Sequence, residues 1–275
     1  MRSNNPVFTR SEEFNRASSN AYGNQTYAGG GQNYPGYGET GTEPSQVDQG
    51  RMTVDSVVQK TAISILLVFA AAFATWAWIG DVTDTGDLGR LYTLAIVGSG
   101  AAFLLSLVNS FKQVISPALV MAFAVAEGVA LGAVSAAFEA QYPGIVMSAV
   151  LGTFAAFAGT LTAYKVLNIK VGDKFRRGVV AAMFGMVGLG LLSLVLSLFG
   201  VQSPLYGNGP IGFIFALAGL VLGVFMLILD FDFVERAVAA GLPARESWRA
   251  AFGLTVSLVW IYTNLLRILA ILRGD

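Results

Sequence analysis

Seven long apolar segments, separated by short polar segments, occupy the chain from about Val57 to Leu272. Each is close to the roughly 20 residues that an α-helix needs to cross the hydrocarbon core of a bilayer. The pattern therefore predicts an all-α polytopic membrane protein with seven transmembrane helices in a domain of residues 56–275. The predicted helices are Val57–Ile79, Leu91–Asn109, Pro117–Phe138, Ile145–Leu167, Gly178–Phe199, Pro210–Phe231 and Ala250–Leu272.

Residues 1–55 have a different composition, rich in Gly, Tyr, Asn and Gln, as in residues 29–37. A segment with so few aliphatic side chains buries too little apolar surface to offset the entropy lost on ordering. It is predicted to be a disordered tail. We expect no signal peptide in this segment, because no apolar core follows Arg2.

The charges of the connecting loops alternate along the chain. One set of loops is basic and the intervening set is acidic or uncharged, and the positive-inside rule places the basic set in the cytoplasm. The basic set carries Lys112, then Lys165, Lys170, Lys174, Arg176 and Arg177, then Arg236, Arg245 and Arg249. The other set carries Asp81, Asp84, Asp87 and Arg90, then Glu139 alone, then no charge in 202–209.

This topology predicts a multi-pass protein of the plasma membrane with a cytoplasmic N-terminus. Seven crossings leave the C-terminus outside. Arg267 and Arg273 on the last segment favour an alternative, in which that segment is re-entrant and the C-terminus returns to the cytoplasm.

Composition narrows the chemistry. The chain is 55% hydrophobic and 12% charged, with a formal net charge of zero and with neither cysteine nor histidine. Cysteine metal sites, the usual zinc ligand sets and a Ser-His-Asp triad are therefore excluded, and any proton chemistry must use carboxylates. We expect no enzyme, no cofactor and no nucleic-acid partner. The expected partners are the lipid bilayer and cations.

Small residues at helical spacing are expected to let helices approach closely within the chain. The candidates are Gly128 with Gly132, Gly219 with Gly223, and the group Gly185, Gly188 and Gly190.

Two carboxylates, Asp230 and Asp232, end the sixth predicted helix. Two residues along an α-helix rotate by about 200°, so the two side chains cannot share one face. Asp230, which follows an unbroken apolar run, is the candidate for the buried acid, although it could also mark the cytoplasmic end of the helix. Asp232 is interpreted as a boundary residue.

Three further polar residues lie inside predicted helices. Glu127 is in the middle of the third helix, where a carboxylate either contacts water or an ion, or forms a structural hydrogen bond between helices. Asn264 and Arg267 lie three residues apart on the seventh helix. Arg267 either neutralises a carboxylate such as Asp230 or Glu127, or extends toward the outer surface.

Several motifs resemble the Bax inhibitor-1 (transmembrane BAX inhibitor motif) family, in an actinobacterial-type branch. They are the seven-span layout, Ser116-Pro117-Ala118 leading into Glu127-Gly128, the acid of helix 6 before an aromatic-rich helix 7, and two N-terminal stretches, Met1–Phe8 and Met52–Asp55. The resemblance covers about Met52 to Gly274.

The resemblance implies a bundle in which helix 7 is central. It also implies a pH-sensitive calcium leak, gated by two carboxylates on helices 6 and 7 that share a proton. Asp230 matches the acid of helix 6, whereas the position of the second acid is occupied by Asn264. An amide can hydrogen-bond Asp230 but cannot share its proton as a second acid, so Glu127 or Asp232 would have to replace the missing member.

The expected function is thus a pH-modulated cation leak of a bacterial inner membrane, acting in ion homeostasis and stress response. The alternative is a non-conducting regulator or scaffold that binds another membrane protein, such as a quality-control protease, through its tail or helices. An intramembrane hydrolase is disfavoured, because no histidine is present and an aspartyl dyad would need an acid at Asn264.

Overall fold

The computed structural model describes residues 50–80, 85–201 and 203–274, with side chains in the second range from residue 89 onward. In this part of the chain, seven helices are long and apolar enough to cross a membrane. They are α1 (Val54–Ile79), α2 (Thr85–Phe111), α3 (Pro117–Gln141), α4 (Ile145–Val166), α5 (Asp173–Leu198), α6 (Pro210–Ala239) and α7 (Ser247–Gly274). The predicted fold class is confirmed. The predicted tail up to residue 49, and Asp81 and Asp84 of the acidic loop, lie outside the described residues.

The sixth helix is longer than predicted. It was expected to end at Phe231, but α6 continues for two further turns to Ala239. The acids do not end it because Asp232 pairs with Arg236, one turn later on the same helix, and with Arg176 of α5. A neutralised carboxylate is compatible with continued helix, so the expectation that these acids mark the helix end is wrong.

Helix α1 begins directly after the polar N-terminal segment, at a capping motif. Thr53 is the N-cap of α1, and its hydroxyl oxygen accepts from the backbone N–H of Ser56 at 3.1 Å. The Ser56 hydroxyl in turn accepts from the Thr53 N–H, which completes a capping box. Ser56 also shares a 2.6 Å hydrogen bond with Ser247, which ties the first turn of α1 to the first turn of α7.

Helix α7 is the centre of the bundle. It contacts α1, α3, α4 and α6, and it is the most buried of the seven spans. Near its start, Arg249 donates to the Gln113 carbonyl between α2 and α3. At its far end, Arg273 donates to the Pro143 carbonyl between α3 and α4. Since α3 lies between these two contacts, α7 crosses the whole bundle, and the re-entrant alternative is wrong.

The basic loops meet at one end of the bundle, called here the basic end and formed by 112–116, 167–172 and 240–246. Arg249 of α7 donates to the Gln113 carbonyl in the first of these loops and to the Glu246 carboxylate in the third. Tyr164, in the last turn of α4, donates to Glu235 near the end of α6 at 2.7 Å. The basic loops therefore lie together at one end of the bundle, as the alternation of loop charges predicted. The connections 142–144 and 199–209 lie at the opposite end.

Two of the three predicted glycine groups lie at close helix contacts. A Cβ on Gly128 or Gly132 of α3 would come within 2.5 Å of a backbone carbonyl oxygen of α1. A Cβ on Gly219 or Gly223 of α6 would overlap side chains of α7. These residues therefore allow the close helix approach that was predicted.

The third group is different. Gly185 and Gly188 have no atom within 4 Å of an added Cβ, so the expectation of close packing there is wrong. Their helix, α5, packs chiefly on α6 and is the least buried of the spans. Most of its surface is therefore left for lipid.

We expect Gly132→Ala to lower the stability of the bundle by about 1–3 kcal/mol, because its new methyl group would press on the Ala72 carbonyl. The matched control is Gly159→Ala on α4, where a Cβ meets nothing within 4 Å. Thermal unfolding in detergent should show a lower midpoint for the first variant alone. Equal midpoints would contradict the close contact of α3 with α1.

Candidate ion-pathway site

Asp230 is held between α6 and the central helix. The Ser257 hydroxyl of α7 donates to Asp230 Oδ2 at 2.5 Å. One turn earlier on α7, Gly253 leaves room for the other oxygen, since a Cβ there would lie 2.8 Å from Asp230 Oδ1. The carboxyl group thus faces the interior of the bundle, as expected for the buried acid.

Asp232 faces the opposite way, toward α5. It accepts from Arg176 at 3.1 Å and also pairs with Arg236. Asp232 is buried, with 7% of its surface exposed. It was interpreted as a boundary residue, and that interpretation is wrong in one respect: the side chain is enclosed by two arginines and does not extend into solvent. These arginines neutralise its charge at the basic end.

Asn264 does not meet Asp230. Its amide nitrogen donates to the Trp260 carbonyl of its own helix at 2.8 Å, and its side chain packs on Gly219. Gly219 precedes Asp230 by eleven positions on α6, about 16 Å along the helix axis. The expectation that Asn264 is the hydrogen-bond partner of Asp230 is therefore wrong. Ser257, two turns earlier on α7, makes that bond.

Glu127 lies on another side of α7. On α3, one turn before Glu127, Phe123 packs edge-on against Phe252 of α7. About two turns after Glu127, Ser135 shares a 2.6 Å hydrogen bond with Tyr262 of α7. Glu127 is half-buried and forms neither a hydrogen bond nor an ion pair with the described side chains and backbone. The structure thus does not bring Glu127 to Asp230, and it offers no partner for the structural alternative.

Arg267 is at the opposite end from Asp230. Its guanidinium donates to the Leu205 carbonyl at 2.8 Å and lies over the Tyr206 ring, 4.8 Å from the centroid. It neutralises neither Asp230 nor Glu127, so the counter-charge alternative is wrong. The alternative in which Arg267 extends toward the outer loops agrees with these contacts.

The sequence analysis missed four residues that shape this site: Gly253 and Ser257 around Asp230, and Arg176 and Arg236 around Asp232. The pair of Asp232 with Arg236 follows an i,i+4 spacing that a search for ion pairs along the helix finds. Gly253 and Ser257 are also four apart, but small residues are common in this chain, and their spacing alone does not indicate a carboxylate on another helix.

No cluster of three or more acidic side chains that could hold a metal ion occurs in 50–80, 85–201 and 203–274. Asp230 and Asp232 point to different helices and cannot ligate one ion together in this conformation. The arrangement can hold one proton on Asp230 beside a hydroxyl that both donates and accepts.

Replacing Asp230 or Asp232 by asparagine should change the free energy of unfolding by different amounts, although the two residues are only two positions apart. Asp232→Asn would leave Arg176 and Arg236 without their carboxylate, and we expect a loss of about 1–2 kcal/mol, moderated because both arginines are half exposed. Asp230→Asn keeps the shape and a hydrogen bond to Ser257, so we expect a change below about 1 kcal/mol.

Thermal or denaturant unfolding of the purified variants in detergent measures this difference. A larger loss for Asp230→Asn than for Asp232→Asn would contradict the assignment of the two partners.

The chain was compared with protein families and with curated proteins. The sequence profile of the family described as Bax inhibitor 1 like matches residues 5–274, essentially the whole chain. A comparison with curated proteins finds no match. The family match covers all seven helices and both acids of α6, so the chain belongs to the Bax inhibitor 1-like family.

Proposed function

We propose that the protein is a pH-modulated cation leak, conducting calcium among other cations, with Asp230 as the gating acid. The membrane is the bacterial inner membrane, with the basic end and the N-terminus in the cytoplasm. The leak would serve ion homeostasis and the response to stress. The observation that supports this proposal best is the polar character of the contact between α6 and α7, called here the α6–α7 seam.

Asp230 is the first polar element of this seam. A carboxyl group inside a membrane span is costly unless it faces water or a partner. Among the described residues, Asp230 accepts a hydrogen bond from the Ser257 hydroxyl alone. Such a group is poorly explained as a structural element, because a hydrophobic residue of similar volume would pack there without that cost. It is the kind of group that lines an ion or proton pathway.

The second polar element is a cavity of about 180 Å³ at the other end of the seam, lined in part by Thr263, Asn264 and Arg267. Between the two elements, Gly223 packs against Ile261 and Trp260. Gly223 and Asp230 are seven residues apart, about 10 Å along the helix. The seam is thus polar at Asp230 and again at the cavity, and about two helical turns of tight packing around Gly223 separate the two. This is the arrangement expected of a closed pathway.

Protonation of Asp230 supplies the switch. The ionised carboxylate is harder to keep in the closed, dry seam than the neutral acid, so a change of protonation changes the stability of the closed state. Asn264 is an amide and packs on Gly219, and Asp232 and Glu127 lie elsewhere, so none of the described residues proposed as a second acid shares this proton. The flux should therefore follow a single titration and not the two steps of a coupled pair.

The test is calcium flux into liposomes that contain the purified protein, measured across a pH series. We expect flux that changes with pH in the unmodified protein and no pH dependence with Asp230→Asn. Asp173→Asn is the matched control, because Asp173 lies exposed in the first turn of α5 at the basic end. Identical curves for the unmodified protein and Asp230→Asn would remove Asp230 from the mechanism.

A second candidate function is a non-conducting regulator that captures another membrane protein. One observation favours it: the segment just after the tail is fastened to the linker between α6 and α7. The Ala244 N–H donates to the Gly50 carbonyl, and the Met52 N–H donates to the Leu242 carbonyl, each at 2.7 Å. The Met52 side chain is buried in a cluster with Leu227 and other residues of α6 and α7.

A partner that binds residues 1–49 would be joined through the chain to this fastening. Deletion of Met1 to Gln49 separates the two functions, since it leaves the fastening in place. Loss of crosslinking to membrane proteins with unchanged flux would favour a scaffold role for the tail. Loss of flux with unchanged crosslinking would favour a tail that acts on the leak itself.

A further inference from the structure

The cavity at the opposite end of the seam is built from four elements. Its volume is about 180 Å³, far above the roughly 10–15 Å³ that one water molecule needs. It is lined by Met186 of α5, Tyr206 of the 3-10 turn Pro204–Tyr206, Phe215 of α6, and Trp260, Thr263, Asn264 and Arg267 of α7.

Among the lining residues that the structure describes, Arg267 alone carries a charge. Arg267 is partly buried, and no carboxylate forms an ion pair with it in the part of the chain that the structure describes. Its observed contacts are one neutral carbonyl, that of Leu205, and the face of the Tyr206 ring. A guanidinium removed from bulk water is normally paired with an anion, because a lone buried charge loses its hydration without compensation.

Several donors remain for such an anion. Arg267 has five N–H groups, of which one is used on the Leu205 carbonyl. The Tyr206 hydroxyl makes no hydrogen bond to the described residues, and it points toward Gly190 of α5, where an added Cβ would lie 3.0 Å away. Burial raises the pKa of Tyr206 while the charge of Arg267 works to lower it. The net shift is upward, so this hydroxyl stays a donor at neutral pH.

Two of the other polar groups of the cavity, those of Trp260 and Thr263, are already engaged, and Asn264 is engaged in part. The indole N–H of Trp260 donates to the Gly219 carbonyl at 2.8 Å. The Thr263 hydroxyl bonds to carbonyls of its own helix. Asn264 uses one amide hydrogen on the Trp260 carbonyl, which leaves the second for a ligand.

We propose that this cavity binds a phosphate oxyanion, held by Arg267, Tyr206 and Asn264. The planar guanidinium matches two phosphate oxygens at once. Arg267 is seven residues from Gly274, about 10 Å below the end of α7, so an anion here sits near the boundary of the hydrocarbon core. Two sources supply this chemistry at that depth: the headgroup of an anionic phospholipid and free phosphate from solution.

The test measures binding to the full chain in neutral detergent, from the rise of the unfolding midpoint with added ligand. One arm titrates dioleoylphosphatidylglycerol against a dioleoylphosphatidylcholine reference, and the other titrates inorganic phosphate. We expect binding to the unmodified protein, about tenfold weaker binding to Arg267→Gln, and about threefold weaker binding to Tyr206→Phe, which keeps the ring under the guanidinium.

The matched control is Arg273→Gln. It removes a second arginine from the same end of α7, one that donates to Pro143 outside the cavity, and it should bind like the unmodified protein. Protection by the lipid alone identifies a headgroup site, and protection by inorganic phosphate identifies a site for a soluble anion. Either result supports the proposal.

Two results would overturn it. One is no midpoint shift with either ligand, and the other is equal loss of binding in Arg267→Gln and Arg273→Gln, which would indicate general charge attraction. If Arg267→Gln fails to fold, Tyr206→Phe decides, because unchanged binding to that variant also rejects the site.

Discussion

The close contact of α6 with α7 through Gly219 and Gly223 determines which polar groups of these two helices lie opposite one another. Both glycines have α7 side chains where a Cβ would be, so the two helices cannot slide past one another without a clash. With that register, Asp230 meets Gly253 and Ser257. The same register keeps Asn264 beside Gly219, which lies about 16 Å along α6 from Asp230.

A second constraint acts at the basic end, where charges are neutralised locally. Asp232 forms ion pairs with Arg176 and Arg236. Glu235 accepts a hydrogen bond from Tyr164, and Glu246 accepts one from Arg249, each at 2.7 Å. These contacts join α4 and α5 to α6, and the turn Ala244–Glu246 to the first turn of α7. Asp230 is excluded from this network because it points to the other face of α6. Among the described residues, the Asp230 carboxyl group accepts a hydrogen bond from the Ser257 hydroxyl alone, whereas the Asp232 carboxylate is paired with two arginines.

The hydroxyl-bearing residues of the helices behave differently from the acids. Thr75, Thr153 and Thr255 each donate to the carbonyl four residues earlier, at 2.8, 2.8 and 2.7 Å. A hydroxyl satisfied by its own helix needs no partner on another, so these residues are compatible with a dry interior. Ser257, which reaches Asp230 of α6, and Arg267, which reaches the 3-10 turn before α6, both lie on α7 along the same seam. The two proposals concern its two ends: a proton at Asp230 and an oxyanion at Arg267.

What the sequence determined by itself follows from local rules. The length and apolar character of the segments predicted seven spans. The loop charges predicted which loops share an end, and the 3.6-residue repeat predicted that Asp230 and Asp232 face apart. The tertiary structure alone decided which helix each acid meets. Ser257 bonds Asp230, Arg176 reaches Asp232, and Arg267 turns to Leu205, because the register between antiparallel helices depends on glycine contacts whose partners are remote in sequence. Spacing along one helix determines which face a side chain lies on, but it carries no information about which residue of another helix lies opposite.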